Sequence, residues 1–447
     1  MNGAKPLSAF GDYIKAARRM GSNARRYLLF TALSSIAWTI ASLCLNLYLH
    51  ALGYRQDFIG ILNGLPSMVV IFVGLPIGVL ADRKGYLKFL IFGTALNSLA
   101  SLGLALSVSK FSLLAFAVVS GAAGSTAWIL GAPFLMSITS PKERVFLFSL
   151  QSAVMTGTGF LGSVMGGAIP RFVADRLGVT SMDVLPLRIA LLAIVVFNTV
   201  SLLPLLGMKE TRNRAAVGGQ GAVGGQGAAD GASGATASVK AAGPLPRSGA
   251  ELALYLKLLS LETLVALGAG AMVTFFQLFF NMKFSLPPER IAPIFAFSAV
   301  GTTLATLVTP LLARRFGKVR TVVLSQLASV PFLLTLAYSR SLPAVIVAYY
   351  LRDALMNMVW PVQQTFVLEQ VAENQRATLT SLSAILGSMG RGGLGPVISG
   401  YLQVVSGFHL AFTFTTVCYV VGAVLFWFFF RNAERVKPGA EPVRATA

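Results

Sequence analysis

Four ionisable residues lie inside long apolar runs of the sequence, where a charge is costly to bury. Glu262 falls in the seventh such run, Arg352 and Asp353 in the tenth, and Arg391 in the eleventh. A charge inside hydrocarbon has to be paired, hydrated or neutral, and such residues commonly mark ion or substrate pathways. The four formal charges cancel, which predicts mutual pairing.

Two interpretations of Glu262 follow from this pattern. In one, its pairing with Arg391 or Arg352 changes during function and the carboxyl group carries a proton. In the other, the pair is a static bridge that only locks helices together. Arg352 and Asp353 are adjacent and point about 100° apart on a helix. We therefore expect one of them to face a cavity and the other to face a neighbouring helix.

Uncharged polar and aromatic residues extend these stripes at spacings of three or four. Such residues together form surfaces suited to an amphipathic ligand. Two of the tryptophans are equivalent in an internal repeat described below and could face each other across a twofold axis, although packing is the alternative role. The candidate cavity residues are Asn46, Trp128, Gln277, Asn357, Trp360 and Gln364.

A second constellation closes the second apolar run, where GLPIGVLADRKGYLK places an acid, several cations and glycines in one short stretch. Gly78 and Asp82 are four residues apart and share a helical stripe, and Gly85 permits a tight reversal. Cations at such a boundary are typical of a cytoplasmic loop. The candidate gate residues are Gly78, Asp82, Arg83, Gly85, Lys88 and Arg376.

Composition restricts the class of protein. Of the 447 residues, 55% are hydrophobic and only 12% are charged, which predicts a polytopic membrane protein. Lys and Arg outnumber Asp and Glu by 36 to 16, but these cations lie in short loops, so we expect no nucleic-acid partner. The two cysteines and two histidines have no metal-ligand spacing. We predict no metal, no cofactor and no enzymatic activity.

Twelve runs of about 20 or more apolar residues are each long enough to span a bilayer. With the N-terminus inside, 26 of the 36 Lys and Arg lie on the inner side, which predicts that both termini are cytoplasmic in a cell (inner) membrane. The predicted runs are 27–50, 57–81, 88–108, 111–137, 144–170, 185–207, 252–283, 290–313, 319–339, 341–367, 376–405 and 408–430.

A Gly- and Ala-rich segment at 209–250 predicts a flexible linker between halves at 27–208 and 251–431. Residues 1–26 predict a basic amphipathic segment and 432–447 a cytoplasmic tail. A shift of 232 residues aligns the halves without gaps and superposes several identities, which argues for duplication. Those identities include Leu80 with Leu312, Arg83 with Arg315, Gly85 with Gly317, Trp128 with Trp360 and Arg144 with Arg376.

The pattern Gly78-x-Leu80-Ala81-Asp82-Arg83-x-Gly85-x-x-Lys88 resembles the signature loop of major facilitator superfamily transporters. The resemblance implies an all-α membrane protein with two six-helix bundles related by pseudo-twofold symmetry, working as a secondary transporter by alternating access. It also implies that Asp82 meets the start of the eleventh helix near Gln375 and Arg376. The second copy departs from the pattern, because Arg314 stands where the acid would be.

Within that family the chain most resembles proton-coupled exporters of small amphipathic compounds, which are expected to bind substrate and proton as monomers in the bilayer. Two departures weaken the proton-antiporter assignment. The Gly395-Pro396 pair lies in the eleventh run and not in the fifth, and the fourth run lacks an embedded arginine. A nutrient importer or facilitator, and a membrane sensor or scaffold that does not transport, remain the alternatives.

Overall fold

The computed structural model describes residues 21–139, 144–208 and 248–433. Within those ranges the chain forms twelve helical runs and no β-strand. We number the runs α1 to α12, and four of them consist of more than one segment. The bounds are α1 Ser22–Ala51, α2 Gln56–Lys84, α3 Tyr86–Leu106, α4 Lys110–Ser137, α5 Arg144–Leu177, α6 Val184–Val200 and Leu202–Leu206, α7 Gly249–Val273 and Phe276–Phe284, α8 Pro288–Phe316, α9 Lys318–Tyr338, α10 Leu342–Met358 and Trp360–Glu369, α11 Arg376–Ser388, Met389–Leu394 and Gly395–Ser406, and α12 Phe408–Phe430.

Eleven of these runs contain a helix that is long and apolar enough to cross a membrane, within the described part of the chain. The exception is α11, because a π-helical turn at Met389–Leu394 divides it into shorter pieces. In hydrocarbon the backbone must satisfy its own hydrogen bonds, and helices do so within each segment. The prediction of an all-α polytopic membrane protein is confirmed. The predicted N-terminal segment up to residue 20, the linker at 209–247 and the tail from 434 lie outside the described residues.

The helix boundaries repeat with the period found in the sequence. Adding 232 to the bounds of α2, 56 and 84, gives 288 and 316, which are the bounds of α8. The same shift carries α3 onto α9 and carries the ends of α4 onto the ends of α10. α5 and α11 both begin at the equivalent arginines, Arg144 and Arg376. The duplication therefore extends from residue identities to helix lengths.

The turn after α2 and the turn after α8 have the same backbone geometry. Gly85 has φ 102° and ψ 142°, and Gly317 has φ 86° and ψ 162°. Both amides donate to a carbonyl four residues back, in Ala81 at 2.8 Å and in Ala313 at 3.0 Å. A positive φ of this size is readily adopted only by glycine. Each glycine ends one membrane helix and starts the next without a longer loop.

The halves pack against each other along two helix pairs. α2 of the first half runs along α11 of the second, and α5 runs along α8. We call the side where α1 begins and α12 ends the terminal side, and the opposite side the distal side. The α5–α8 contact is distal: Ser163 donates to the carbonyl of Ala292 at 3.0 Å, and Ser181 donates to Glu289 at 2.9 Å.

Glycines bring α2 and α11 together on the distal side. A methyl group placed at Gly60 would overlap the carbonyl of Pro396, and one at Gly64 would overlap the carbonyl of Gly393. Small residues at these positions let two membrane helices approach to backbone contact. Towards the terminal side of α2, by contrast, a methyl group at Gly78 would meet nothing within 4 Å. The halves are closed against each other on the distal side.

Candidate functional site

Arg352 is the largest fully buried side chain among the described residues and lies in the interior of the second half. Its Nη2 donates to the hydroxyl of Tyr419 on α12 at 2.7 Å. Its guanidinium lies 5.9 Å from the ring centroid of Phe276 on α7 and 5.7 Å from that of Tyr419. Nη1 is 3.6 Å from Oδ1 of Asp353. The cation is therefore enclosed by aromatic rings and one carboxylate.

Asp353 faces a different helix, as the 100° offset from its neighbour predicts. Its Oδ2 accepts hydrogen bonds from Ser298 at 2.5 Å and from Thr302 at 3.0 Å, both on α8. Its Oδ1 accepts from Asn357 at 2.8 Å, one turn along α10. Both charges therefore face neighbouring helices, and the predicted Arg352 and Asp353 are joined to each other and to the predicted Asn357.

Glu262 lies in a second cluster, between α7 and α11. Its Oε2 accepts a short hydrogen bond from the hydroxyl of Ser383, which is itself buried. Arg391 lies within range of electrostatic interaction with this carboxylate. The structure thus places the predicted partners near each other, with Ser383 as the hydrogen-bond donor.

Arg391 sits in the π-helical turn of α11, and this turn is held from two sides. A methyl group at Gly270 of α7 would overlap the backbone of Arg391, and one at Gly392 would overlap Ser67 of α2. π-Turns inside α-helices occur frequently at functional sites. The turn therefore brings Arg391 to the place where α11 contacts both α7 and the other half.

Asn46 and Gln277 form a third cluster at the junction of the halves. Asn46 of α1 donates to the carbonyl of Thr274 at 2.8 Å, and Gln277 donates to the same oxygen at 3.0 Å. Asn63 of α2 donates to Oδ1 of Asn46 at 2.7 Å. Both predicted residues are buried in this polar junction, so their observed contacts are with the protein and not with an open cavity.

The predicted tryptophans do not meet across the pseudo-twofold axis. Trp128 of α4 packs edge-on against Trp38 of α1, with ring centroids 6.2 Å apart. Trp38 has 55% of its surface exposed, and Trp360, which begins the second segment of α10, has 48% exposed. Gln364 is half-buried in the same segment. Two aromatic surfaces, one in each half, are thus available to a ligand.

The gate residues surround the turn between α2 and α3. Tyr86 donates to Asp82 at 2.6 Å across that turn, and Arg83 and Lys88 are exposed. Arg376, at the start of α11, donates to the carbonyl of Leu368 at 3.0 Å. The contact between Asp82 and Arg376 that the resemblance implies belongs to a terminal-side closure, and it stays a prediction.

The candidate residues thus fall into separate clusters that the sequence did not separate. Sequence reasoning also missed several of the partners, although Ser298 and Thr302 are four residues apart and could have been found as a polar stripe on α8. The missed partners are Trp38, Asn63, Tyr86, Thr274, Ser298, Thr302, Ser383 and Tyr419. No group of three potential metal ligands occurs in the described ranges 21–139, 144–208 and 248–433.

Twelve apolar helical runs with charges buried in the bundle define a polytopic membrane protein of the transporter type. The sequence model of the Major Facilitator Superfamily matches residues 27–392 and, in a second match, residues 258–446. The chain belongs to this superfamily, whose members are transporters. The second match begins 231 residues after the first, close to the internal repeat. No curated protein matched the sequence.

Solved structures of transporters share the fold. A bacterial homologue of the human lysosomal transporter Spinster, in an inward-facing and unoccupied conformation, is 17% identical with a TM-score of 0.68, covering 98% of this chain and 100% of that one. The nucleoside transporter NupG is 14% identical with a TM-score of 0.67, covering 93% and 100%. A bacterial homologue of the iron transporter ferroportin, inward-facing, is 16% identical with a TM-score of 0.66, covering 90% and 97%.

Proposed function

We propose that this transporter is a proton-coupled exporter of small amphipathic compounds that works by alternating access. The observation that carries the proposal is a contrast between two carboxylates. Asp353 is held by three hydrogen-bond donors and the buried Arg352. Glu262 accepts from Ser383 of another helix and interacts with Arg391. A carboxylate at a helix junction can change partners when the helices move, so Glu262 is the proposed proton site.

The proposed substrate class rests on the aromatic surfaces. Trp38 and Trp128 form an exposed edge-to-face pair in the first half, and Trp360 is exposed in the second. Aromatic rings beside a few polar groups suit a ligand with an apolar body and a polar end. The structural neighbours include transporters described for nucleosides and for iron, so the fold alone does not select a substrate.

The proposed orientation follows from the charges. Most Lys and Arg lie on the terminal side, which we assign to the cytoplasm of a cell (inner) membrane. With its distal side closed, the molecule then faces inward. We further propose that the protein acts as a monomer, with residues 27–208 and 251–431 as the two moving halves and the segment 209–250 as their linker.

The proposal is tested by transport of the amphipathic dye ethidium into everted membrane vesicles. Acidifying the lumen drives accumulation if the protein exchanges protons for substrate in the export direction. Glu262→Gln is expected to reduce this pH-driven accumulation at least tenfold while ethidium still raises the thermal unfolding midpoint, because the fold and the aromatic surface remain. Glu369→Gln, which changes a carboxylate outside the cavity, serves as the control.

Two outcomes would count against the proposal. Undiminished coupling in Glu262→Gln would remove Glu262 from the proton pathway. A failure of the wild type to accumulate ethidium in everted vesicles, combined with uptake in right-side-out vesicles, would identify an importer.

A further inference from the structure

A buried chain of amides connects the two halves at an interruption in α7. Asn63 of α2 donates to Asn46 of α1 at 2.7 Å, and Asn46 donates to the carbonyl of Thr274 at 2.8 Å. Asn46 is 2% exposed. An amide buried in a membrane protein is held in place by its hydrogen bonds, since an unpaired amide would be costly. The chain therefore forms a specific polar link from α2 through α1 into α7.

The Thr274 carbonyl lies where the helix is broken. The first segment of α7 ends at Val273, Phe275 has φ −113° and ψ 7°, and the second segment starts at Phe276. A break frees backbone groups, which must find other partners inside a membrane. Gln277 of the same helix also donates to this carbonyl, at 3.0 Å. One of its two side-chain donors thus belongs to each half.

The residues just beyond the break cover the buried cation. Phe276 is 3% exposed, and its ring centroid lies 5.9 Å from the guanidinium of Arg352. Tyr349 meets the same ring edge-on, with centroids 4.7 Å apart. A cation over an aromatic face is stabilised, more so where water is excluded. The position of the second α7 segment therefore determines how well Arg352 is shielded.

We propose that Asn46 is a positioning residue that holds the second segment of α7 over Arg352 while the distal side is closed and releases it when the distal side opens. Separation of the halves there must break the bond from Asn46, because its donor and acceptor lie in different halves. Gln277 moves with α7 and keeps its bond. The inference rests on the alternating-access function proposed above, since it requires a second state that is open on the distal side.

The link occurs once in the molecule. The 232-residue shift places Leu278 at the position equivalent to Asn46, and Phe295 at the position equivalent to Asn63. Neither side chain can donate a hydrogen bond. The corresponding junction between α7 and α8 is apolar, so the polar link acts on the break in α7 alone.

The experiment measures the distance between spin labels at Val108 and Arg340, which are exposed, equivalent positions in the two distal loops. The full chain, with Cys44→Ala and Cys418→Ala, is studied in nanodiscs without substrate or pH gradient. Wild type is expected to give mainly the short distance. Asn46→Ala should raise the ratio of long to short distance about tenfold, the effect of one hydrogen bond between the halves. Asn63→Ala should raise it less, because the donor of Asn46 is then only less well oriented.

Gln277→Ala is the matched control, because it removes a donor to the same carbonyl from within the same half. An unchanged distance distribution in Gln277→Ala, beside the shift in Asn46→Ala, supports the inference. Equal shifts in both variants would mean that capping of the break matters and the link between halves does not, and no shift in Asn46→Ala would also overturn it. None of these outcomes depends on Glu262 or ethidium, so failure of proton coupling or of export would be seen separately.

Discussion

The two halves of the molecule have the same helical framework but carry different charges. α2 and α8, and likewise α3 and α9, have bounds related by one shift of 232 residues. The four intramembrane ionisable residues all lie in the second half. Their equivalents in the first half are uncharged: Phe30 for Glu262, Ser120 for Arg352, Gly121 for Asp353 and Gly159 for Arg391.

The membrane explains why the framework was kept while the charges were not. Helix length is fixed by bilayer thickness, and the turn after α2 or α8 requires a glycine with positive φ. Side chains inside each bundle face no such common constraint. The comparison assigns the chemistry to the second half, and it leaves the first half to supply the aromatic surface at Trp128 and one side of the polar link at Asn46.

The largest expected effect tests whether the Arg352–Asp353 pair is structural. Asp353→Ala should lower the free energy of unfolding by about 3–5 kcal/mol, because it leaves a buried cation without its carboxylate. Unfolding by sodium dodecyl sulfate titration measures this change. Glu262→Gln should change stability far less, because a neutral side chain there can still accept a hydrogen bond from Ser383.

The double variant Arg352→Met with Asp353→Leu sharpens the same test. Replacing a buried ion pair by apolar residues of similar size is often nearly neutral, so most of the lost stability should return. If Asp353→Ala were as stable as wild type, the carboxylate would not be needed to balance Arg352. The second half would then have two exchangeable carboxylates, and the distinction between Asp353 and Glu262 would fail.

A smaller effect is expected at the distal crossing of the helices. Gly60 of α2 and Ala292 of α8 are equivalent by the shift, and each lies against the helix of the other half, at Pro396 and at Gly167. Gly60→Val should disfavour the distal-closed state by about 1–3 kcal/mol, because the added side chain overlaps backbone. The Val108–Arg340 label distance reports the change.

Gly78→Val is the matched control for the crossing. A side chain at Gly78 enters open space, so this variant should leave the label distance as it is in wild type. Equal effects of the two substitutions would show that valine perturbs α2 itself. The distal contact would then not be set by the glycine.

The sequence predicted more of the framework than of the site, for physical reasons. Helix number and boundaries follow from apolar run length, and the predicted run 57–81 lies within Gln56–Lys84. Two interruptions escaped prediction, at Thr274 in α7 and at Met389–Leu394 in α11. Neither contains a proline, so local sequence gave little sign of them. Tertiary contacts, from Asn46 on one and from Gly270 on the other, accompany these breaks.

The site was predicted as a set of residues but not as an arrangement. Buried charges are conspicuous in sequence, and all four were identified. Their partners are ordinary residues such as Ser383 and Tyr419, which become informative only when helices far apart in sequence are packed together. The pairing of Glu262 with Arg391 and the roles of both residues stay predictions.

The smallest expected effect compares the two terminal-side turns. In the first half Tyr86 donates to Asp82 at 2.6 Å, and in the second half Arg314 replaces the acid and Lys318, equivalent to Tyr86, pairs with Glu369 at 2.5 Å. Tyr86→Phe removes one hydrogen bond from Asp82 and should favour its predicted contact with Arg376. Asp82→Asn should favour the distal-closed state instead. Each shift is expected to be about 1 kcal/mol.

Spin labels at Lys84 and Phe316, which are exposed and equivalent positions on the terminal side, measure both shifts. Lys318→Met is the control from the other half, since an exposed ion pair contributes about 0–1 kcal/mol and makes no contact with Asp82 in the part of the chain described. Opposite shifts for Tyr86→Phe and Asp82→Asn would place a single latch in the first half. Shifts in the same direction would mean that Tyr86 supports the open terminal side without competing for Asp82, and an equal shift in Lys318→Met would give the second half a latch of its own.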